Sequence, residues 1–304
     1  LATNKTYAGH VDLGHWYTYK PLVELGHNVY WHDTVKPEVQ DFGKVIEHFK
    51  PDLIFCCITG NPALTPAEPS VWEAVKKETN SGRTKTFNWF CDDTWRFHGA
   101  GGSDVGSSTV CHNFTACSTP EPTYIQKYKD AGYNNIILGA WHANSEYYIP
   151  VGFDEKNIDV SFIGRLNPTR KSFFSSVENE IQIINGISNE EMFSTHCNTK
   201  IGINLSVNDN DPQKKTQMKQ RPFEIVAGGA LLMTEYHEGI EEFFRIDKEI
   251  ITFKSVDEFS SKLEFLRKNQ HIARNIASKG YERFLRDHDS KKRLKNLLER
   301  IGEF

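Results

Sequence analysis

The sequence predicts an α/β protein made of two doubly wound domains, each a parallel sheet covered by helices. Three observations carry this reading. The chain has 304 residues, more than one core ordinarily organises at ~100–200 residues per domain. Its strand-like stretches are continuous apolar runs without strict alternation, as in strands buried on both faces. Those runs alternate with helical patterns, the order that builds parallel sheets.

Taken in order, Leu1-Ala2-Thr3 reads as the tail of a strand whose earlier residues are absent. A glycine-containing loop over 7–14 follows, then a helix ending near Leu25 with Gly26 as its C′ residue. Pro21 kinks that helix or marks its true start. Strands are expected at 28–31, 52–57, 86–90, 114–117 and 135–138, with a helix over 120–131. Pro150-Val151-Gly152-Phe153-Asp154 breaks the pattern and reads as the domain boundary. Strands at 160–164, 200–205, 230–234 and 250–253 form a second set, joined by helices over 257–268 and 271–284. Leu294, Leu297, Leu298 and Ile301 give a last helix one apolar face. The sequence carries neither an internal repeat nor a low-complexity tract.

Composition narrows the function. Lys plus Arg is 36 against 40 Asp plus Glu, a net charge of -4, whereas nucleic-acid binders carry a basic face. No apolar run approaches the ~20 residues of a membrane span, and no basic-then-apolar leader opens the sequence. Cys56, Cys57, Cys91, Cys111, Cys117 and Cys197 form no C-x-x-C pair and are expected as reduced, buried thiols. With the sequon Asn204-Leu205-Ser206 inside an apparent buried strand, these features predict a cytoplasmic protein.

Chemistry concentrates in two segments. The first runs from Arg221 through Pro222, Phe223 and Glu224 to Gly228 and Gly229. Pro222 suits the first helical position, and the amides there, with Arg221, form an anion pocket. Glu224 falls in the first turn, where a carboxylate accepts from two ribose hydroxyls or simply favours the helix dipole. In the second segment, a strand ending at Gly164 is followed by Arg165, Pro168, Arg170 and Lys171. Open α/β sheets bind ligands at the carboxyl ends of their strands, and guanidinium groups match phosphate oxygens bidentately. The alternative is a solvated basic turn.

Together these residues resemble the CgeB-like branch of the group 1 glycosyltransferases. The resemblance rests on Arg221, Phe223, Glu224 and Gly229, then Leu231-Leu232, Thr234-Glu235-Tyr236 and Gly239-Ile240-Glu241-Glu242-Phe243-Phe244. Ile272-Ala273, Gly280-Tyr281-Glu282-Arg283 and His288 continue it. Upstream, Pro51-Asp52-Leu53-Ile54-Phe55, Trp89, Asp92-Asp93, Gly132-Tyr133, Tyr147 and Pro150 also fit. It implies a GT-B fold, two Rossmann-like domains with parallel sheets facing a central cleft. The acceptor-side domain would be 1–150, the nucleotide-sugar domain 151–285, and 286–304 a helix packing back on the first domain.

The implied activity is a hexosyltransferase moving a sugar from a UDP- or GDP-sugar to an unidentified glycan, protein or small-molecule acceptor. Arg165 and Arg170 or Lys171 fall where relatives hold the diphosphate, Arg221 matches the arginine ahead of the Phe-Glu pair, and Glu224 matches the ribose carboxylate. One departure is Thr216, eight positions before Glu224, where many group 1 enzymes carry a second glutamate. Negative charge grows on the leaving diphosphate, so fixed cations stabilise the transition state. No cofactor is expected, and no metal is required.

Other candidates complete the reading. Asp209-Asn210-Asp211 follows a strand and is either a divalent-cation D-x-D or an ordinary turn. Asp92-Asp93 reads as an interdomain polar contact. His10, Asp12 and His15 lie in the first loop; one of them, with Asp12 and His15 favoured, is the expected general base, or they stabilise the loop at the surface. His98, in Phe97-His98-Gly99-Ala100-Gly101-Gly102, is expected to touch the transferred sugar, and that loop to act as a lid. His142 reads as structural, and Tyr236 and Trp141 as stacking or rim aromatics. Rival functions are a sugar-nucleotide epimerase, a non-catalytic sugar-nucleotide-binding module and a D-x-D metal-dependent transferase.

Overall fold

The computed structural model describes residues 1–3, 5–7, 9–34, 41–58, 69–99, 105–177, 181–207, 209, 211 and 213–304. The chain forms two compact units, Leu1–Ala140 with Leu294–Phe304, and Trp141–Arg293.

The first unit opens with β1 (Ala2–Thr3) and a short antiparallel hairpin, β2 (Thr6–Tyr7) and β3 (His10–Val11), where the sequence suggested a plain loop. A π-helical turn, His15–Tyr19, leads into α1 (Lys20–Glu24). Pro21 lies inside a continuous helical run over 13–24, just after the step from π to α geometry, and Gly26 follows with φ +91°. Then come β4 (His32–Asp33), α2 (Phe42–Phe49), β5 (Leu53–Cys56), α3 (Pro69–Ser81), β6 (Lys85–Trp89) and α4 (Asp93–Arg96). The run closes with α5 (Ser107–Val110), β7 (Ala116–Thr119), α6 (Tyr124–Asp130) and β8 (Ile136–Leu138).

Its parallel sheet has the order β4-β1-β5-β6-β7-β8. The strand expected at 28–31 lies instead at His32–Asp33, because pairing with β1 extends only from Ala2↔His32 to Thr3↔Asp33. Helix α2 shows how a local signal becomes packing. Asp41 caps it, accepting from Lys44 N at 3.2 Å, and Phe42, Val45 and Ile46 turn into the core.

The second unit contains β9 (Ile158–Ile163), α7 (Pro168–Ser175), β10 (Gln182–Ile184), α8 (Asn189–Asn198) and β11 (Thr199–Asn204). It continues through α9 (Arg221–Ala227), β12 (Leu231–Glu235), β13 (Ile251–Phe253), α10 (Val256–Lys268) and α11 (Gln270–Arg283). Its sheet is parallel, in the order β10-β9-β11-β12-β13. Val160, Phe162, Ile201, Ile203, Leu231 and Met233 are buried in its core. Strand β10 was not expected. It is an edge strand, and Ile183 is 37% exposed, so its short run lacks a core pattern.

Close packing of α9 on its neighbours, the sheet on one side and α8 on the other, rests on two glycines. A Cβ on Gly202 of β11 would meet the Ile225 side chain at 2.6 Å, and one on Gly228 the His196 carbonyl carbon at 2.6 Å. The buried Lys156 ammonium donates to the carbonyls of Cys197 and Gly228, closing the carboxyl ends of α8 and α9. Asn204 is buried and donates from Nδ2 to Thr234 Oγ1 at 2.9 Å.

The units divide between Ala140 and Trp141, ahead of the expected break at Pro150. Residues just after the division bond within the second unit. His142 Nδ1 lies 2.8 Å from Ser290 Oγ, Ser290 N donates to Ala143 O at 2.9 Å, and Ser145 N to Asp289 Oδ2 at 3.1 Å. The last helix, α12 (Ser290–Gly302), starts in the second unit and ends in the first. There Leu294, Leu297 and Ile301 are buried, and Lys85 Nζ donates to Gly302 O at 2.8 Å.

Candidate active site

In the sheet of the second unit, β10 is added on one side of β9 and β11 on the other, so the order of strand addition reverses between β9 and β11. Sheets of this order bind ligands in the crevice expected beyond the carboxyl ends of the strands at that point. Strand β9 ends at Ile163 and Gly164, and β11 at Asn204. Arg221, the first residue of α9, reaches back across this gap. Its Nε donates to Ile163 O at 2.7 Å and its Nη1 to Asn204 Oδ1 at 3.0 Å. The guanidinium lies over the Phe162 ring, 4.8 Å from its centroid.

Gly164 makes this approach possible, since a Cβ there would stand 2.5 Å from Arg221 Nη2, and its φ is +147°.

Arg170 comes to the same ring from α7, 5.4 Å from the centroid. Its Nη1 donates to Arg165 O at 2.9 Å and its Nη2 to Leu205 O at 3.0 Å. Asn167 caps α7, accepting from Arg170 N at 2.9 Å, and Pro168 opens the helix. Burial, with Arg170 nearby, lowers the Arg221 pKa to about 10, so it stays charged at neutral pH. Burial also lowers that of Arg170, while Glu235 and Asp209 oppose the fall.

The structure therefore brings Arg170 and Arg221 together over Phe162, with the exposed Arg165 close enough for its charge to act on Arg170. Glu224, one turn beyond Arg221, is buried and acts on the Arg221 charge. Lys171 follows Arg170 on α7 and is exposed.

The amide pocket expected at the start of α9 is corrected. Gln220 is already helical, and Phe223 N donates to Gln220 O at 3.0 Å. Pro222 has no N–H to offer. Positive charge there comes from side chains.

Sequence reasoning missed three participants, Phe162, Asn204 and Glu235. Glu235 ends β12, and its Oε2 accepts from Ser206 N and from Val207 N, the latter at 3.3 Å. Burial pushes its carboxyl up, and these amides and Arg170 pull it down. A polar residue closing an otherwise apolar strand was the available signal for both Asn204 and Glu235.

The two aspartates of the D-x-D are engaged with protein groups. Asp209 accepts from the Thr169 hydroxyl and from Lys214 Nζ at 3.1 Å. Asp211 accepts from Gln213 N at 2.9 Å and Lys215 N at 3.1 Å, the pattern of a turn. Among the described residues, no group of three metal-ligating side chains stands together. Tyr236 faces Lys254 Nζ at 4.4 Å from its ring centroid, and Trp141 is half-buried. His142 is buried and bonded as above, with burial lowering its pKa to about 3.

The first unit holds the remaining candidates. Asp12 Oδ1 accepts from Gly14 N at 2.7 Å, and burial raises its pKa. His15 stacks on Tyr19 at 5.5 Å and Trp31 at 5.6 Å between ring centroids, and burial and Lys20 lower its pKa. His10 is exposed on β3. His98 is exposed and stands edge-on to Phe97 at 4.9 Å. Among the described residues, no hydrogen bond or ring contact joins His98 to Asp12 or His15. The expected lid falls largely on 100–104, outside the described residues.

Asp93 is not the interdomain contact expected. It is fully buried inside the first unit, accepting from Tyr128 OH at 3.0 Å and from the Ser107 hydroxyl, and burial raises its pKa to about 6. Asp92 pairs with Arg96 at 3.3 Å. A cavity of about 480 Å³ opens among Leu22, Phe42, Ile46, Leu298 and Ile301. It lies at the amino ends of β5 and β6, and holds none of these candidates.

Two doubly wound parallel sheets of this kind define the GT-B glycosyltransferase fold. Residues 153–299 match the family model described as glycosyl transferase-like. No curated protein sequence matches the chain. Among solved structures, Anabaena HepE in complex with UDP and glucose is similar at a TM-score of 0.63 and 11% identity, covering 94% of this chain and 89% of that one. A glycosyltransferase from Rickettsia africae ESF-5 gives 0.60 and 10%, covering 94% and 87%. Sucrose-phosphate synthase from Thermosynechococcus elongatus gives 0.58 and 10%, covering 86% and 76%.

Proposed function

We propose that the protein is a glycosyltransferase of the CgeB-like branch, transferring a hexose from a UDP- or GDP-sugar to an acceptor without a required metal. The observation carrying this reading is the pair Arg170 and Arg221, which meet over Phe162 at the β9/β11 crevice from two different helices. With Nε and Nη1 of Arg221 on protein acceptors, Nη2 is the edge turned toward Gly164 and the place for a diphosphate oxygen. As the glycosidic bond breaks, charge grows on that diphosphate. Arg221, Arg170 and Arg165 stabilise it most when it is greatest, which accelerates the step. Glu224 is proposed to take the ribose hydroxyls, and exposed Lys171 to add a point charge at the rim.

For the acceptor proton, His15 is favoured over Asp12 and His98. Its lowered pKa keeps the imidazole neutral and able to accept a proton. The Asp12 carboxylate already serves Gly14 N.

The experiment is a thermal-shift screen with UDP-, GDP-, ADP- and TDP-sugars, followed by transfer assays on Glu224→Ala. One donor should stabilise the protein, by about 2.7 kcal/mol at 100 times its Kd. No shift with any donor refutes the reading, and unchanged UDP and GDP affinity in Glu224→Ala removes the ribose role. Epimerised sugar nucleotide without an acceptor would turn the assignment to an epimerase.

A further inference from the structure

The carboxyl ends of β5 and β6 carry two thiols that the donor chemistry does not use. All six cysteines are free, and Cys56, Cys111, Cys117 and Cys197 are buried. Cys57 and Cys91 are half-buried, and their sulfurs lie 3.9 Å apart in an S–H···S contact.

The backbone is held on both sides of this contact. Ile58 N donates to Asn88 Oδ1 at 3.0 Å, and Asn88 Nδ2 returns a bond to Ile58 O at 2.9 Å. Next to Cys91, Asp92 takes φ +59° and pairs with Arg96. Reaching the ~2.05 Å of an S–S bond requires the sulfurs to close by about 2 Å.

We propose that Cys57 and Cys91 are a redox-active dithiol that closes to a disulfide by exchange with a small-molecule disulfide such as glutathione disulfide. The Cys57 thiolate attacks one sulfur of glutathione disulfide, forming a mixed disulfide and releasing one glutathione thiolate. The Cys91 thiolate then attacks the Cys57 sulfur, forming the Cys57–Cys91 bond and releasing the second. The two cysteine protons end on the two released thiolates. The cysteine pair is oxidised by two electrons and glutathione disulfide is reduced by two. The contact with Cys57, together with burial, pushes the Cys91 thiol up, which gives Cys57 the attacking role and Cys91 the resolving one.

The test treats the whole chain with glutathione disulfide at mildly alkaline pH. Remaining thiols are counted after denaturation, and peptides are mapped by mass spectrometry. Free thiols should fall from six to four, with a Cys57–Cys91 linked peptide that dithiothreitol reverses. Cys91→Ser should keep an unresolved glutathione on Cys57, and Cys57→Ser should form no linked peptide. Six surviving thiols, a link through Cys56, or a stable glutathione adduct on the unsubstituted chain would each overturn the proposal.

Discussion

Replacing Arg221 with alanine tests the crevice from two directions at once. The side chain makes two charge-assisted hydrogen bonds, at 2.7 Å to Ile163 O and 3.0 Å to Asn204 Oδ1, and covers Phe162. At about 1.5 kcal/mol each, the two bonds alone are worth about 3 kcal/mol. For a domain of this size, a loss of 1 kcal/mol lowers Tm by about 2–4 °C, so the variant should melt about 6–12 °C lower. Donor binding should fall separately, because one charge-assisted contact to the diphosphate is lost. A further about 1.5–3 kcal/mol corresponds to roughly 10–150-fold in Kd. The assay is a thermal melt with and without UDP. The reasoning is refuted by a variant melting within a degree of the parent with its UDP-induced shift intact. A lowered Tm with a full UDP shift would leave Arg221 a brace between strands and strip it of its role toward the donor.

Three further outcomes are expected. Gly164→Ala should lower both stability and donor affinity, since the new Cβ meets Arg221 Nη2 at 2.5 Å with φ at +147°. The strain is of order 1–3 kcal/mol, read by urea unfolding and UDP titration. Asp93 has a folded pKa of about 6 against 3.8 unfolded. Its contribution is thus fully present below pH 3.8 and is lost as pH rises toward and through 6. At about 1.4 kcal/mol per pH unit this amounts to about 3 kcal/mol, so Asp93→Asn should flatten urea stability across that window, and an unchanged slope would exclude Asp93 as its source. EDTA should leave most transfer activity in place. Complete loss restored by Mn²⁺ or Mg²⁺ would instead draw Asp209 and Asp211 into the chemistry.

The parts of this molecule legible in the sequence are those with local signals. Strands β9, β11 and β12 are apolar runs long enough to announce themselves, and Arg165, Arg170, Arg221 and Glu224 sit in short stretches beside them. Helices α10 and α11 carry their own periodicity and start within a residue of the expected positions. What escaped depends on distant partners. The direction of Arg221 is set by Ile163 and Asn204, 58 and 17 residues away in sequence. Asp93 read as an interdomain contact because its enclosing hydroxyls, on Ser107 and Tyr128, come from later elements. Strand β4 needs only two residues of pairing with β1, too few to leave a pattern.

The bracing of Arg221 against Ile163 and Asn204 has a kinetic consequence. A long cationic side chain waving in solvent surrenders up to ~2 kcal/mol of rotamer freedom when it clamps an anion. Here that ordering is completed during folding, so the diphosphate proposed to bind there would meet a rigid edge and need not gather a mobile one. Discrimination among ligands is then governed by how well their oxygens fit a stationary target.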